Sequence, residues 1–298
     1  MVDGGGRRKL PPAVHFTAVP NISILPSTPS VIAHRGDSAN VPEDTVESLR
    51  AGLALGADGI EFDVRLSQDG HVMVIHDPRV DRTTNGTGEV RALSRDELQT
   101  LDAGYRFTRN DGLTFPWRDR RVRIPTLEYV LECFPHERLI LELKTAEASA
   151  ETLRLLQRHG ARKRCLVGSF HEEALAPFRA AGFATGATKD DVIRLYRQLW
   201  RRIRPRVLPY DALMITPRYR SVIPVPVGRF VRMAAACGVA THVWTIDDPA
   251  QARRLWAMGV HGIMSNDPAS ILRAARREPI GDPVPLAWED GNTFRAGS

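Results

Sequence analysis

From residue 126 to residue 277 the chain alternates helix-like and strand-like segments without interruption. Helical spacing of apolar residues runs over 126–134, 149–159, 172–181, 190–202, 229–237, 249–258 and 268–277. Short apolar runs at 138–144, 165–170, 183–188, 212–216, 239–246 and 262–265 separate those segments. Strands joined by helical crossovers run parallel, and a parallel sheet needs helices on its faces. Two earlier strands, at 30–36 and 59–67, with a helix from Val46 stopped by Gly56 between them, bring the count to about eight βα units, the number that closes a (β/α)8 TIM barrel. An open doubly wound sheet is the alternative. It is disfavoured because the first strand runs into HRGDSAN rather than a glycine-rich dinucleotide fingerprint. The 298 residues accommodate one barrel with appendages. The expected organisation is an N-terminal arm over 1–29, a barrel over 30–278 with an insertion around 78–125, and a C-terminal tail over 279–298. Within the insertion, 94–101 reads as a helix with Ser94 and Glu97 as its capping box.

The chemistry concentrates between Val31 and Asp77. One apolar run ends at His34-Arg35. A second, 71–77, is expected to fold back across the turn Gln68-Asp69-Gly70 and ends at His76-Asp77. Between them Glu61 and Asp63 alternate with Ile60, Phe62 and Val64, so both carboxylates share one face of a strand. The next strand ends with Glu142 and Lys144, again two apart among leucines. Active groups of such barrels sit at the C-terminal strand ends, where all of these residues fall. Glu61, Asp63 and Glu142 converging on one mouth would repel one another. A divalent cation relieves that, and oxygen donors suit Mg²⁺ or Ca²⁺; a metal-free ion-pair network is the competing reading. His34 and His76 suit an acid/base pair, because imidazole titrates near neutral pH. Asp77 either orients His76 or caps the strand end. Arg35 and Lys144 suit a phosphate oxyanion. Together these groups equip a site for attack on a phosphodiester.

The rest of the chain narrows the class. Three widely spaced cysteines, Cys133, Cys165 and Cys237, make neither a disulfide framework nor a zinc knuckle. No apolar run approaches a membrane span, and the first residues do not read as a secretory signal, so a cytoplasmic protein is expected. A net charge of +6 permits an anionic substrate or surface, while the scattered arginines argue against nucleic-acid binding.

The ordered motifs resemble the glycerophosphodiester phosphodiesterase family. They are His34-Arg35-Gly36, Pro42-Glu43-Asp44-Thr45, Gly56-Ala57-Asp58, Ile60-Glu61-Phe62-Asp63-Val64, Asp69-Gly70 and His76-Asp77, followed by Ile124-Pro125-Thr126-Leu127-Glu128, Leu141-Glu142-Leu143-Lys144, Val243-Trp244-Thr245 and Gly259-Val260-His261-Gly262-Ile263. The resemblance implies a TIM barrel of the phospholipase C-like type that hydrolyses glycerophosphodiesters to an alcohol and glycerol 3-phosphate. It implies a Mg²⁺ or Ca²⁺ site at Glu61, Asp63 and Glu142, catalytic His34 and His76, phosphate-binding Arg35 and Lys144, a supporting Glu43 and an apolar pocket wall at Trp244. Two departures stand out, Asp44 for the usual Asn, and Ser265-Asn266-Asp267-Pro268 where Thr-Asp-x-Pro is common. Neither is expected to touch the proposed ligands.

The stretch from Asp102 to Trp117 resembles a subgroup that includes enzymes of lysophospholipids. Its aromatic residues either receive an acyl chain or, the favoured reading, pack on the barrel. The arginine-rich stretch 193–206 reads mainly as a solvated outer helix, with contact to an anionic membrane as the alternative. Three other functions stay open: a lysophospholipase D acting on lipid-tailed diesters, an inactive barrel that binds phosphate or lipid headgroups, and, more remotely, a sugar-phosphate barrel. Headgroup preference and oligomeric state are not encoded in any motif of the chain.

Overall fold

The structure, a computed structural model, describes residues 29–219 and 222–281. The expected arm, apart from residue 29, and the tail beyond residue 281 lie outside the described residues. Eight parallel strands form the frame: β1 (Ser30–His34), β2 (Gly59–Leu66), β4 (Leu139–Leu143), β5 (Cys165–Gly168), β6 (Ala184–Thr185), β7 (Ala212–Ile215), β10 (Ala240–Val243) and β11 (Gly262–Ser265). β3 (Val72–Val74) and the hairpin of β8 (Arg218–Tyr219) and β9 (Ile223–Pro224) stand outside that frame. Each strand pairs with its neighbours in chain order, and β11 returns to β1. The ring closes between β6 and β7 through a bridge of Gly186 with Ala212 and the bond Ala187 N–H to Ala212 O, 2.9 Å. That closure removes the open-sheet alternative, since an open sheet keeps two free edges.

Helices α1 (Val46–Ala54), α3 (Leu127–Cys133), α4 (Ser149–Arg158), α5 (Glu172–Ala180), α6 (Lys189–Trp200), α7 (Val227–Ala235), α8 (Pro249–Ala257) and α9 (Pro268–Ala274) clothe the ring. Several start at local caps: Thr45 accepts from Ser48 N–H, Thr126 from Tyr129 N–H, and Asp248 from the amides of Ala250 and Gln251. Strand residues that point outward pack on these helices. Ile60, Phe62, Val64, Leu139, Leu141 and Leu143 join one buried cluster, and Val31, Leu213, Ile215, Val243 and Ile263 join a second. Each fully buried side chain of this size contributes about 1.5–3 kcal/mol. Inward-pointing Ile32, Ile140, Leu166, Ala184, Ala212 and Met264 fill the barrel below its mouth.

β2 is longer than the ring needs. Residues 60–64 pair with β4, and residues 64–66 continue to pair antiparallel with β3. The run expected over 71–77 is therefore strand only at Val72–Val74, and its last residues drop back to the mouth. Gly70 supplies the positive φ (+83°) of the intervening turn. The segment 78–125 contains α2 (Arg95–Thr100), with the expected Ser94–Glu97 capping box. It buries Val80, Val90, Leu98, Trp117 and Ile124 with Met73 and Val41 in a cluster of its own. Trp117 is buried and donates from Nε1 to Asn40 O. The Arg118 guanidinium lies 4.1 Å from the ring centres of both Tyr105 and Phe115. These aromatics pack on the protein, as favoured.

Candidate active site

Register brings the polar residues together. His34 pairs with Glu61 across β1 and β2, and Asp63 pairs with Glu142 across β2 and β4. Alternation turns all four side chains into the barrel, immediately above Ile32 and Ile140. The backbone after His34 must then swing outward to free the mouth. Arg35 takes φ +55° and Gly36 φ +84°; a Cβ on Gly36 would lie 2.2 Å from Ser48, so only glycine fits. The Ser48 hydroxyl donates to Arg35 O at 2.6 Å and holds that turn.

Burial of charge here is compensated pair by pair. The Arg35 amide donates to Glu61 O at 2.8 Å and to Glu61 Oε2 at 3.2 Å. Its guanidinium donates to Glu43 Oε1 at 2.8 Å and places Nε 3.1 Å from Asp63 Oδ2. Lys144 Nζ lies 2.7 Å from Asp63 Oδ1 and 2.6 Å from Glu142 Oε1. Burial would discharge Arg35, but Asp44, Asp63, Glu43 and Glu61 outweigh it and hold its pKa above the ordinary value. Lys144 is likewise raised, with Glu142 and Asp63 outweighing burial. Glu61 and Glu142 are both pushed up, by burial and by the neighbouring carboxylates.

The two histidines are held differently. His34 Nδ1 lies 2.7 Å from Asn266 Oδ1, which leaves Nε2 facing the mouth, 3.8 Å from Glu61 Oε2. Burial, reinforced by Arg35, lowers the His34 pKa to about 4, so its ring is neutral at pH 7. A neutral ring facing Asn266 Oδ1 donates from Nδ1–H. His76 Nδ1 lies 2.6 Å from Asp77 Oδ1, so Asp77 orients the ring rather than capping a strand. Arg82 then bridges Asp77, at 2.5 Å, to both oxygens of Glu43, at 2.7 Å each. Burial would raise Asp77 and Glu43; Arg82, with His76 and Arg35 respectively, instead lowers both to about 2.

His34, Arg35, Glu61, Asp63, His76, Glu142, Lys144 and Trp244 all line one cavity of about 110 Å³, with Ile140, Phe170, Met214 and Met264. Trp244 meets Phe170 edge-on, ring centres 6.3 Å apart. Glu43 does not line the cavity. It stands behind Arg35 and Arg82 in a separate small recess. A much larger recess, about 1020 Å³, lies beside α6 and α7 and shares no lining residue with this cavity. The smaller cavity is the active-site candidate because the charged and titratable groups converge there.

The chain is similar to known proteins over most of its length. Residues 34–270 match the glycerophosphoryl diester phosphodiesterase family. The chain belongs to that family. A glycerophosphodiester phosphodiesterase of Caldanaerobacter subterraneus subsp. tengcongensis is 32% identical over 258 residues, covering 83% of this chain and 98% of the relative. One of Bacillus subtilis is 29% identical over 250 residues, covering 80% and 83%. Among solved structures, an Oleispira antarctica phosphodiesterase in complex with the product sn-glycerol-3-phosphate superposes with a TM-score of 0.68 at 28% identity, covering 86% of this chain and 99% of that one. The glycerophosphoryl diester phosphodiesterase domain of a Mycobacterium tuberculosis protein, 22% identical with a TM-score of 0.71 over 83% of this chain and 98% of that one, shares the fold. As a member of the family the protein is a phosphoric diester hydrolase.

For a family member, the donor set fits a divalent cation. Glu61, Asp63 and Glu142 each offer a carboxylate oxygen within 4.8 Å of the others. Asp63 Oδ2 is buried and makes no hydrogen bond, so it keeps lone pairs for a cation. Such hard oxygen donors suit Mg²⁺ or Ca²⁺. The two departures from the family pattern prove closer to the site than expected. Asp44, at φ +57°, sets Oδ1 3.4 Å from the amide of Asp63, a proposed ligand. Asn266 is the partner of His34, and Asp247 in turn accepts from Asn266 Nδ2 at 2.9 Å and from its amide at 2.8 Å. Sequence reasoning also passed over Arg82 and Phe170. Asn266 and Phe170 follow strand ends, a signal that could have found them. Arg82 lies in an irregular stretch with no such signal.

Proposed function

We propose that this protein hydrolyses glycerophosphodiesters to an alcohol and sn-glycerol 3-phosphate in the cavity between His34 and His76. One observation carries the reading: two histidines, two cations and three carboxylates from β1, β2, β4 and the end of β3 converge on that single cavity. Arg35 and Lys144 hold the phosphate oxygens. Each histidine has its Nδ1 engaged, by Asn266 or Asp77, so Nε2 is the atom left for the substrate. One histidine takes the proton of the attacking oxygen while the other gives a proton to the departing alkoxide as the P–O bond breaks. Glu61, Asp63 and Glu142 would hold Mg²⁺ or Ca²⁺, which when bound supplies positive charge to the phosphate. Glu43 supports Arg35, and Trp244 with Phe170 forms the apolar wall.

Two other readings have less support. A lysophospholipase D needs room for an acyl chain, yet Tyr105, Phe107, Phe115 and Trp117 stay outside the cavity lining. A barrel that only bound phosphate would have no use for an acid/base pair. Glycerophosphocholine and lysophosphatidylcholine assayed side by side separate the three. The proposal expects release of glycerol 3-phosphate from the first, and a fall in kcat of roughly a hundredfold or more in His34→Ala and His76→Ala. Near-normal turnover in either folded variant removes that histidine from the acid/base pair. Preference for the lysolipid moves the assignment to lysophospholipase D, and inertness toward both supports the binding barrel.

A further inference from the structure

The stretch from Val192 to Val239 contains ten arginines, one aspartate and no lysine or glutamate, in a chain whose whole net charge is +6. The aspartate, Asp211, accepts from the Thr185 amide in the barrel frame. Arg197, Arg201, Arg204, Arg229 and Arg232 are exposed, and none forms an ion pair with a described carboxylate. On α6 and the turn after it, Ile193, Tyr196, Trp200 and Ile203 recur at helical spacing yet face solvent, with Trp200 74% exposed. The core-facing side of the same helix is a different set, Leu195 with Val192 and Leu199. Val207 and the hairpin residues Val222 and Ile223 are at least half exposed nearby in the chain. The recess of about 1020 Å³ runs between these elements, with apolar walls and Arg204, Arg229 and Arg232 on its lining.

From this face we infer that α6, α7 and the β8–β9 hairpin dock on an anionic phospholipid bilayer surface. Arginines answer lipid phosphates and carboxylates, while exposed Trp, Ile and Val side chains enter the boundary between headgroups and acyl chains. A nucleic acid would neutralise the arginines but leave the aliphatic side chains in water. A second copy of the chain would set like charges against each other. Among the described residues no helix is long and apolar enough to cross a membrane, so the contact is peripheral. The recess on this face shares no lining residue with the catalytic cavity.

Flotation of the full chain with phosphatidylcholine vesicles, with and without phosphatidylglycerol, tests this. The protein is expected to float only with the anionic vesicles and to be released by high salt. Arg201→Ala and Arg204→Ala should each weaken binding about fivefold, and Trp200→Ala should weaken it at every salt concentration, all with unchanged circular dichroism. Absence from anionic vesicles at low salt overturns the inference, as does wild-type flotation of the Arg201→Ala/Arg204→Ala double variant. So does tighter binding to a DNA duplex than to the vesicles at equal salt.

Discussion

The two sides of this barrel are both rich in arginine and use it in opposite ways. Around β1, β2 and β4 the cations are bound: Arg35, mostly buried, to Glu43 and Asp63, Lys144, mostly buried, to Asp63 and Glu142, and the exposed Arg82 to Asp77 and Glu43. Around α6 and α7, Arg197, Arg201, Arg204, Arg229 and Arg232 stand in water without a described carboxylate partner, and only Arg194 reaches one, Asp191, at 3.4 Å among the described residues. Burial makes Arg35 and Lys144 dependent on their neighbours, because an unpartnered buried charge costs several kcal/mol. Exposure makes the second side indifferent to loss of any one charge within the fold, and available to an outside partner.

Mutations should expose that difference in graded order. Lys144→Met leaves the carboxylates of Asp63 and Glu142 facing each other, and should destabilise the metal-free protein by about 3–5 kcal/mol in denaturant unfolding. A loss below about 1 kcal/mol would mean that the buried pairs are not what holds this side together.

His242 brings pH dependence to the inside of the other side. Burial, with His261 nearby, lowers its pKa to about 3. The unfolded chain therefore binds a proton below pH ~6.5 that the folded chain refuses, and stability falls on acidification through that window by up to ~1.4 kcal/mol per pH unit. Thermal unfolding should show a shallower acid slope in His242→Gln; an identical slope would place the titration elsewhere.

Arg82→Ala should lower kcat roughly tenfold, since it frees Asp77 and Glu43 behind His76 and Arg35 without touching the cavity lining. Steady-state kinetics with an unchanged KM would agree; a change in KM alone would make Arg82 a substrate-binding group instead. The smallest effect belongs to α6. Arg201→Ala with Arg204→Ala should shift stability by no more than about 0.5 kcal/mol in the same unfolding assay, and a larger loss would show that the exposed arginines help hold the fold.

Much of the first side is legible in the sequence. Period-two alternation forces Glu61 with Asp63, and Glu142 with Ile140, to the barrel interior, and the strand-end rule does the rest. Eight of the nine site residues expected from sequence line the cavity. The ninth, Glu43, lies behind Arg35 and Arg82, bonded to both. What stayed hidden depends on contacts between distant parts of the chain. Asn266 reaches His34 across 232 positions, and no local pattern announces that pairing. Arg82 sits in a stretch without period, and the overshoot of β2 that shortens β3 becomes visible only once the ring closes. On the other side, the spacing of Ile193, Tyr196, Trp200 and Ile203 reads as an ordinary amphipathic helix. Which of two apolar stripes meets the core is a property of packing, which composition does not carry.

We propose that the cavity of β1, β2 and β4 is a metal-assisted phosphodiesterase site. Glycerol 3-phosphate released from glycerophosphocholine tests it, measured on the purified protein with Mg²⁺ or Ca²⁺ and again after exhaustive chelation. Turnover should disappear on chelation and return when one of the two ions is restored. Full turnover in the chelated protein, or none with either ion, would contradict it.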